Sequence, residues 1–150
     1  MKRFRFPLRP VVVLRAHHEM RAKESFATAV RTCVAAEEQL AETRVRLARL
    51  ADALRDHREG AFSPVEAASL FRAYRAECEG EIRDERRVIE ARDTMLRRRE
   101  EYFEAHRALK VVQRLEEKAR AAHRAEANRA EQSMLDEFAG LRHARCPVLS

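Results

Sequence analysis

Proline is absent from Val11 to Ser63 and again from Val65 to Cys146, and this constrains the chain more than any other feature. Nothing in either stretch obliges a helical hydrogen-bond ladder to stop. Between them, Gly60-Ala61-Phe62-Ser63 followed by Pro64-Val65-Glu66 carries the signals for ending one helix and starting another. Gly60 can close the first helix in a left-handed conformation. Ser63 reads as an N-cap, Pro64 as a first helical residue that needs no amide donor, and Glu66 as the return arm of a capping box. The expected fold is all-α: a helix at about 10–59, a turn at 60–63 and a helix at about 64–142, forming a single coiled-coil domain over residues 1–150 with flexible termini.

With 37% charged residues, 6% aromatic residues, three glycines and no tryptophan, the chain has little from which to build a globular core. Long helices must bury an apolar stripe along a partner, and a short connection makes the other arm that partner. At about 1.5 Å per residue the arms would measure roughly 75 and 118 Å.

In the first arm Phe26, Cys33, Leu40, Leu47 and Leu54 recur every seventh residue, with Ala29, Ala36, Thr43 and Leu50 three places after the first four. In the second, Ile82, Ile89, Leu96 and Phe103 recur every seventh residue, with Val88, Met95 and Tyr102 on the adjoining edge. A tight turn pairs residues whose numbers add to roughly 123. That register sets Leu40 against Ile82, Cys33 against Ile89, Phe26 near Leu96, and Leu54 near Leu70 and Phe71, in an antiparallel coiled-coil hairpin. The first arm is exhausted near Val111 and Val112, so about 30 residues of the longer second helix overhang. Their thin alanine-rich stripe of Ala119, Ala122, Ala127, Ala130, Met134, Phe138 and Leu141 reads as packing against the N-terminal residues or a second copy. Gly80 costs about 1 kcal/mol in a helix interior and marks where the second arm could bend or break.

A formal net charge of +6 and the clusters Arg86-Arg87 and Arg97-Arg98-Arg99 invite a nucleic-acid reading. Those arginines alternate with Asp84, Glu85, Glu90, Asp93, Glu100 and Glu101, which is the pattern of a solvated coiled-coil flank. The first 23 residues differ: seven Lys or Arg stand against Glu19 alone, a composition suited to an acidic surface.

The apolar run Val11-Val12-Val13-Leu14 is too short for a signal peptide or a membrane span. Without export the thiols stay reduced, and the register keeps Cys33 and Cys78 too far apart for a disulfide, leaving Cys146 in an exposed tail. Neither a glycine-rich phosphate loop nor a nucleophile elbow is present. His17-His18-Glu19 lacks zinc-protease spacing because position 22 is Ala22. The chain therefore reads as non-catalytic, without cofactor, metal or small-molecule substrate.

The start Phe4-Arg5-Phe6-Pro7-Leu8, with Val13-Leu14-Arg15 following, resembles the N-terminal signature of the flagellar export FliJ family. The stretch Cys33-Val34-Ala35-Ala36-Glu37-Glu38-Gln39-Leu40 and the run from Ala125 to Ala139 are similar to its members too. The injectisome stalk proteins of type III secretion are the near alternative; the Phe-x-Phe-x-Leu start favours the flagellar branch. The resemblance implies a cytoplasmic stalk at the flagellar base, peripheral to the inner membrane, that inserts into the hexameric export ATPase and promotes its assembly and hydrolysis. It further implies contact with the membrane export gate protein and with export chaperones. Carried onto this chain, Glu131, Gln132, Asp136 and Glu137 are expected to touch the ATPase ring, and Phe71, Tyr74, Cys78 and Ile82 the gate. The first arm departs from the family pattern in having no aromatic repeat after Phe26. Two other classes fit the same residues: a basic coiled-coil nucleic-acid binder and a structural homo-oligomer.

Overall fold

The computed structural model describes residues 4–60 and 63–145. Helix α1 spans Arg9–Glu59 and helix α2 spans Pro64–Arg145, with no strand among the described residues. They pack against each other as a hairpin, so the all-α expectation holds, with α2 the longer helix. Ala61 and Phe62 of the expected turn, the extreme termini and Cys146 lie outside the described residues.

The helix ends follow from local chemistry. The Ala67 amide donates to the Ser63 carbonyl at 3.1 Å, which puts Ser63 at the N-cap of α2 with Pro64 first in the helix. At the other end of the chain the Leu8 carbonyl accepts from the amides of Val11 and Val12 at 3.0 and 3.1 Å, opening α1 two residues ahead of its Val-rich run. Gly60 departs from expectation: no described glycine is left-handed, so α1 stops at Glu59 without that cap. Nor does Gly80 break α2. It lies against α1, where an added Cβ would sit 3.9 Å from Thr43 Cγ2, and the continuing ladder absorbs the glycine.

The chain divides into two compact units, Met20–Glu104 and Met1–Glu19 with Ala105–Ser150. In Met20–Glu104, α1 turns the expected seam inward. Ala29, Cys33 and Thr43 are buried, and Phe26, Leu40, Leu47, Leu50 and Leu54 are half-buried. On α2 the expectation is corrected. Ile89 is 66% exposed, and Ile82, Leu96 and Phe103 also face out, whereas their neighbour Val88 is 5% exposed and Met95 and Tyr102 turn in. Phe26 accordingly stacks on Tyr102, with ring centroids 6.2 Å apart, instead of meeting Leu96.

The companion column explains the choice. A coiled-coil seam needs a second inward position three residues along. For Ile82, Ile89 and Leu96 that position holds Glu85, Arg92 and Arg99, which would be buried as charges. For Val88, Met95 and Tyr102 it holds Ala91, Arg98 and Ala105, and facing Asp84 finds a partner: the Thr43 hydroxyl donates to its Oδ2 at 2.8 Å. Arg44 bridges Glu81 and Glu85 at 2.8 and 2.7 Å, and Arg92 holds Glu37 at 2.6 Å, all outside the seam. Thr43–Asp84 and Glu37–Arg92 pair residues whose numbers add to 127 and 129, a few above the expected value.

In the other unit, Arg9 donates to Glu116 at 3.0 Å and the Glu19 carboxylate meets His106 Nδ1 at 3.2 Å. The chain ahead of α1 continues along α2. Phe6 is buried, the Phe4 ring lies edge-on to His123 with centroids 5.4 Å apart, and the Arg120 guanidinium sits 5.7 Å over Phe4. The accompanied part of α2 thus reaches His123, further than Val112, and the overhang starts later than expected. From Arg124 to His143 every side chain is exposed except half-buried Ala127.

Candidate partner-binding surfaces

The unaccompanied end of α2 offers the first surface. At 100° per residue, Met134, Phe138 and Leu141 share one stripe, and Phe138 is 75% exposed. Glu131 and Glu137 flank that stripe on its two sides, while Gln132 and Asp136 point away from it. Gln132, Asp136 and Glu137 line a shallow depression of about 500 Å³ together with Arg129 and Ser133. The four expected ring-contact residues are therefore all exposed but divide between two faces, and Glu131 stands apart from the other three. Their apolar neighbours Met134, Phe138 and Leu141 were legible as a stripe, yet their full exposure required knowing where the N-terminal segment stops.

The second surface is the expected gate stripe near the start of α2. Phe71 and Ile82 are exposed, whereas Tyr74 and Cys78 are half-buried toward α1. Phe71 and Ile82, not Tyr74, are thus the available anchors. The negative charge of a Cys78 thiolate, followed by the hydrogen bond between the two groups, raises the Tyr74 phenol above its ordinary value. Cys33 and Cys78 are both free thiols, Cys33 buried in the seam.

The arginine clusters are largely occupied. Arg87 pairs with Asp84 at 3.2 Å, Arg97 with Asp93 at 3.1 Å and Arg98 with Glu101 at 2.8 Å, and Arg99 lies 5.4 Å over the Phe103 ring. Each of the three ion pairs neutralises a charge that phosphate binding would need, while Arg99 over the ring keeps its charge; the pattern fits a solvated helix flank. Among the described residues no group of three or more His, Cys, Asp or Glu is gathered for a metal ion, and no helix is long and apolar enough to cross a membrane.

The sequence model of the flagellar FliJ protein family matches residues 4–147. The chain belongs to this family. No curated protein matches it. A solved structure described as a YscO homolog from Chlamydia trachomatis is similar at 18% identity, over 95% of this chain and 96% of that one, with a TM-score of 0.40. Membership makes the chain a component of flagellar protein export, and in the fold its FliJ-like N-terminal signature sets the Phe4 ring against Arg120 and His123 of α2 and buries Phe6.

Proposed function

We propose that this FliJ-family chain is a non-catalytic stalk of the flagellar export apparatus whose C-terminal arm enters the hexameric export ATPase and promotes its assembly and activity. The family match over residues 4–147 carries this reading. The arm supports it physically. About 20 residues from Arg124 to His143 make a helix of about 30 Å whose side chains, half-buried Ala127 apart, are exposed. Such an arm can be surrounded by a ring without first being unpacked from its own chain. Glu131, Gln132, Asp136 and Glu137 supply weak, exchangeable polar contacts, and Met134, Phe138 and Leu141 supply apolar area. Toward the membrane export gate, Phe71 and Ile82 are the exposed anchors of the stripe completed by Tyr74 and Cys78. Export chaperones are the third partner class, and the working location is the cytoplasmic face of the inner membrane at the flagellar base.

The test is the hydrolysis rate of the export ATPase from the same cell, titrated with the purified chain at physiological salt. A saturable rise with a shift to hexamers is expected. Alanine at Glu131, Gln132, Asp136 and Glu137 together should abolish the rise while leaving stability within about 0.5 kcal/mol, since exposed polar positions carry little folding energy. An unchanged rate with the helical wild-type chain would sink the ATPase role.

A further inference from the structure

The hairpin of Met20–Glu104 has two unlike faces beside its seam. On one, Ser25, Thr28 and Thr32 of α1 face Arg87, Glu90 and Thr94 of α2 across a polar groove. On the other, Leu40 and Ala41 face Val88 and Ile89 across a groove of about 620 Å³. Met20 and Val34 stand in the same heptad column as Ala41, and Ile82, Leu96 and Phe103 in that of Ile89. All six large members are 40–66% exposed. Every one of them lies on this face and none on the polar one.

The face is continuous with the internal interface, because Ile89, Leu96 and Phe103 each follow directly on an inward residue of the seam. Four apolar side chains at seven-residue intervals across Ile82 to Phe103 span three heptads, about 32 Å of helix. A seven-residue period is what a helix laid lengthwise reads. The α2 stripe exposes on the order of a few hundred Å², the size of the largest patch on an ordinary monomer, which is often a contact site. One helix laid along the lane between the α1 and α2 stripes meets this seven-residue period on both of its sides, which is the register a single helix reads.

Charge selects the helix further. In the lane between the stripes, Arg44 and Arg92 are neutralised by Glu81, Glu85 and Glu37. One and two heptads along, Arg99 and Lys23 continue the Arg92 and Glu37 columns, and neither has an ion pair among the described residues. The Phe103 end of the lane is therefore cationic. We propose that this face docks one amphipathic α-helix of another protein, about three heptads long, with carboxylates along the edge that meets Lys23 and Arg99.

The probe is a fluorescent synthetic three-heptad helix with apolar inward positions and glutamate flanks, titrated into the full chain by anisotropy, beside a twin with lysine flanks. Saturable binding of the glutamate peptide is expected. It should weaken about tenfold or more with the lysine twin and with Ile89→Glu/Leu96→Glu, and stay unchanged with Thr94→Glu on the polar face. A photo-crosslinker on the peptide, used with the wild-type chain, should mark Ile82 to Phe103 and so does not depend on a variant folding. Absence of saturable binding, indifference to the double variant or to the lysine flanks, or crosslinks on the Thr94 side would overturn the proposal. So would self-association of the chain that Ile89→Glu/Leu96→Glu abolishes, because the occupant would then be a second copy.

Discussion

Thr43→Val tests what holds the two helices in register. Thr43 is 1% exposed, and it and Asp84 are the buried polar side chains among the described residues. The Thr43 hydroxyl donates to Asp84 Oδ2 at 2.8 Å and accepts from Arg46 Nη2 at 2.9 Å, while Arg87 donates to Asp84 Oδ1 at 3.2 Å. Valine replaces the hydroxyl by a methyl group of similar size, so no cavity opens and β-branching is kept. What disappears is a donor to a buried carboxylate, a loss of about 1.5–3 kcal/mol. For a chain of this length that lowers the melting temperature by about 3–12 °C. Asp84→Leu should cost less, because the stranded hydroxyl can turn to the Gln39 carbonyl at 3.1 Å. Thr43→Val/Asp84→Leu, which removes both ends, should recover to within about 1 kcal/mol of the wild type. The four proteins are compared by urea and thermal unfolding followed by far-ultraviolet circular dichroism. A Thr43→Val variant within about 0.5 kcal/mol of the wild type would refute the reasoning, since the carboxylate would then be satisfied without Thr43.

The corrected seam predicts a contrast between adjacent residues: Val88→Ala should destabilise by about 2 kcal/mol and Ile89→Ala by less than about 0.5 kcal/mol in the same unfolding assay, and the reverse order would restore the Ile82–Ile89–Leu96–Phe103 seam. Gly80→Ala should stabilise by about 1 kcal/mol, because the added Cβ meets Thr43 and Arg83 at ordinary contact distances of 3.9 and 3.8 Å; destabilisation would mean that the glycine serves close approach. The raised Tyr74 phenol should appear in an ultraviolet titration as a tyrosine ionising above its ordinary value, and Cys78→Ser should return it downward. Because the folded value is the higher one, its contribution to stability is complete below the unfolded value and lost as pH rises through the folded one. A Cys78→Ser titration identical to the wild type would remove the thiolate as the cause.

The proline-free stretches and the Ser63-Pro64 start made the two helices legible, since these signals act within a few residues along the chain. The α1 seam was legible for the same reason: one apolar column dominates it. The α2 seam was not, because Ile82-Ile89-Leu96-Phe103 and Val88-Met95-Tyr102 are adjacent columns of nearly equal hydrophobicity. Hydrophobic period alone cannot rank them. The discriminating signal was present three residues along, in Glu85, Arg92 and Arg99 against Ala91, Arg98 and Ala105, where the single charge pairs outward with Glu101, and it concerns the cost of burying charge instead of the gain from burying hydrocarbon. The register slip had the same origin, for a turn length fixes pairing only to within a turn of helix, while Thr43 and Asp84 fix it to a residue.

Partner surfaces were legible only in part, and the physical reason differs between the two ends of α2. A residue that contacts another protein makes no demand on its own chain, so Glu131, Gln132, Asp136 and Glu137, proposed for the ring contact, look like any solvated helix face. What separates a contact surface from a solvated face is apolar area left over once the fold has taken what it needs. That remainder could be identified only after Phe4 and Phe6 had been placed against α2 as far as His123, and after Val88 had displaced Ile89 from the seam. The stripe of Met134, Phe138 and Leu141 and the stripe of Ile82 to Phe103 are both such remainders. A helix that needed only its hairpin partner would gain solubility from charge at each of these positions, so the large apolar side chains that stand there are the argument for the proposal that α2 serves interfaces besides its own.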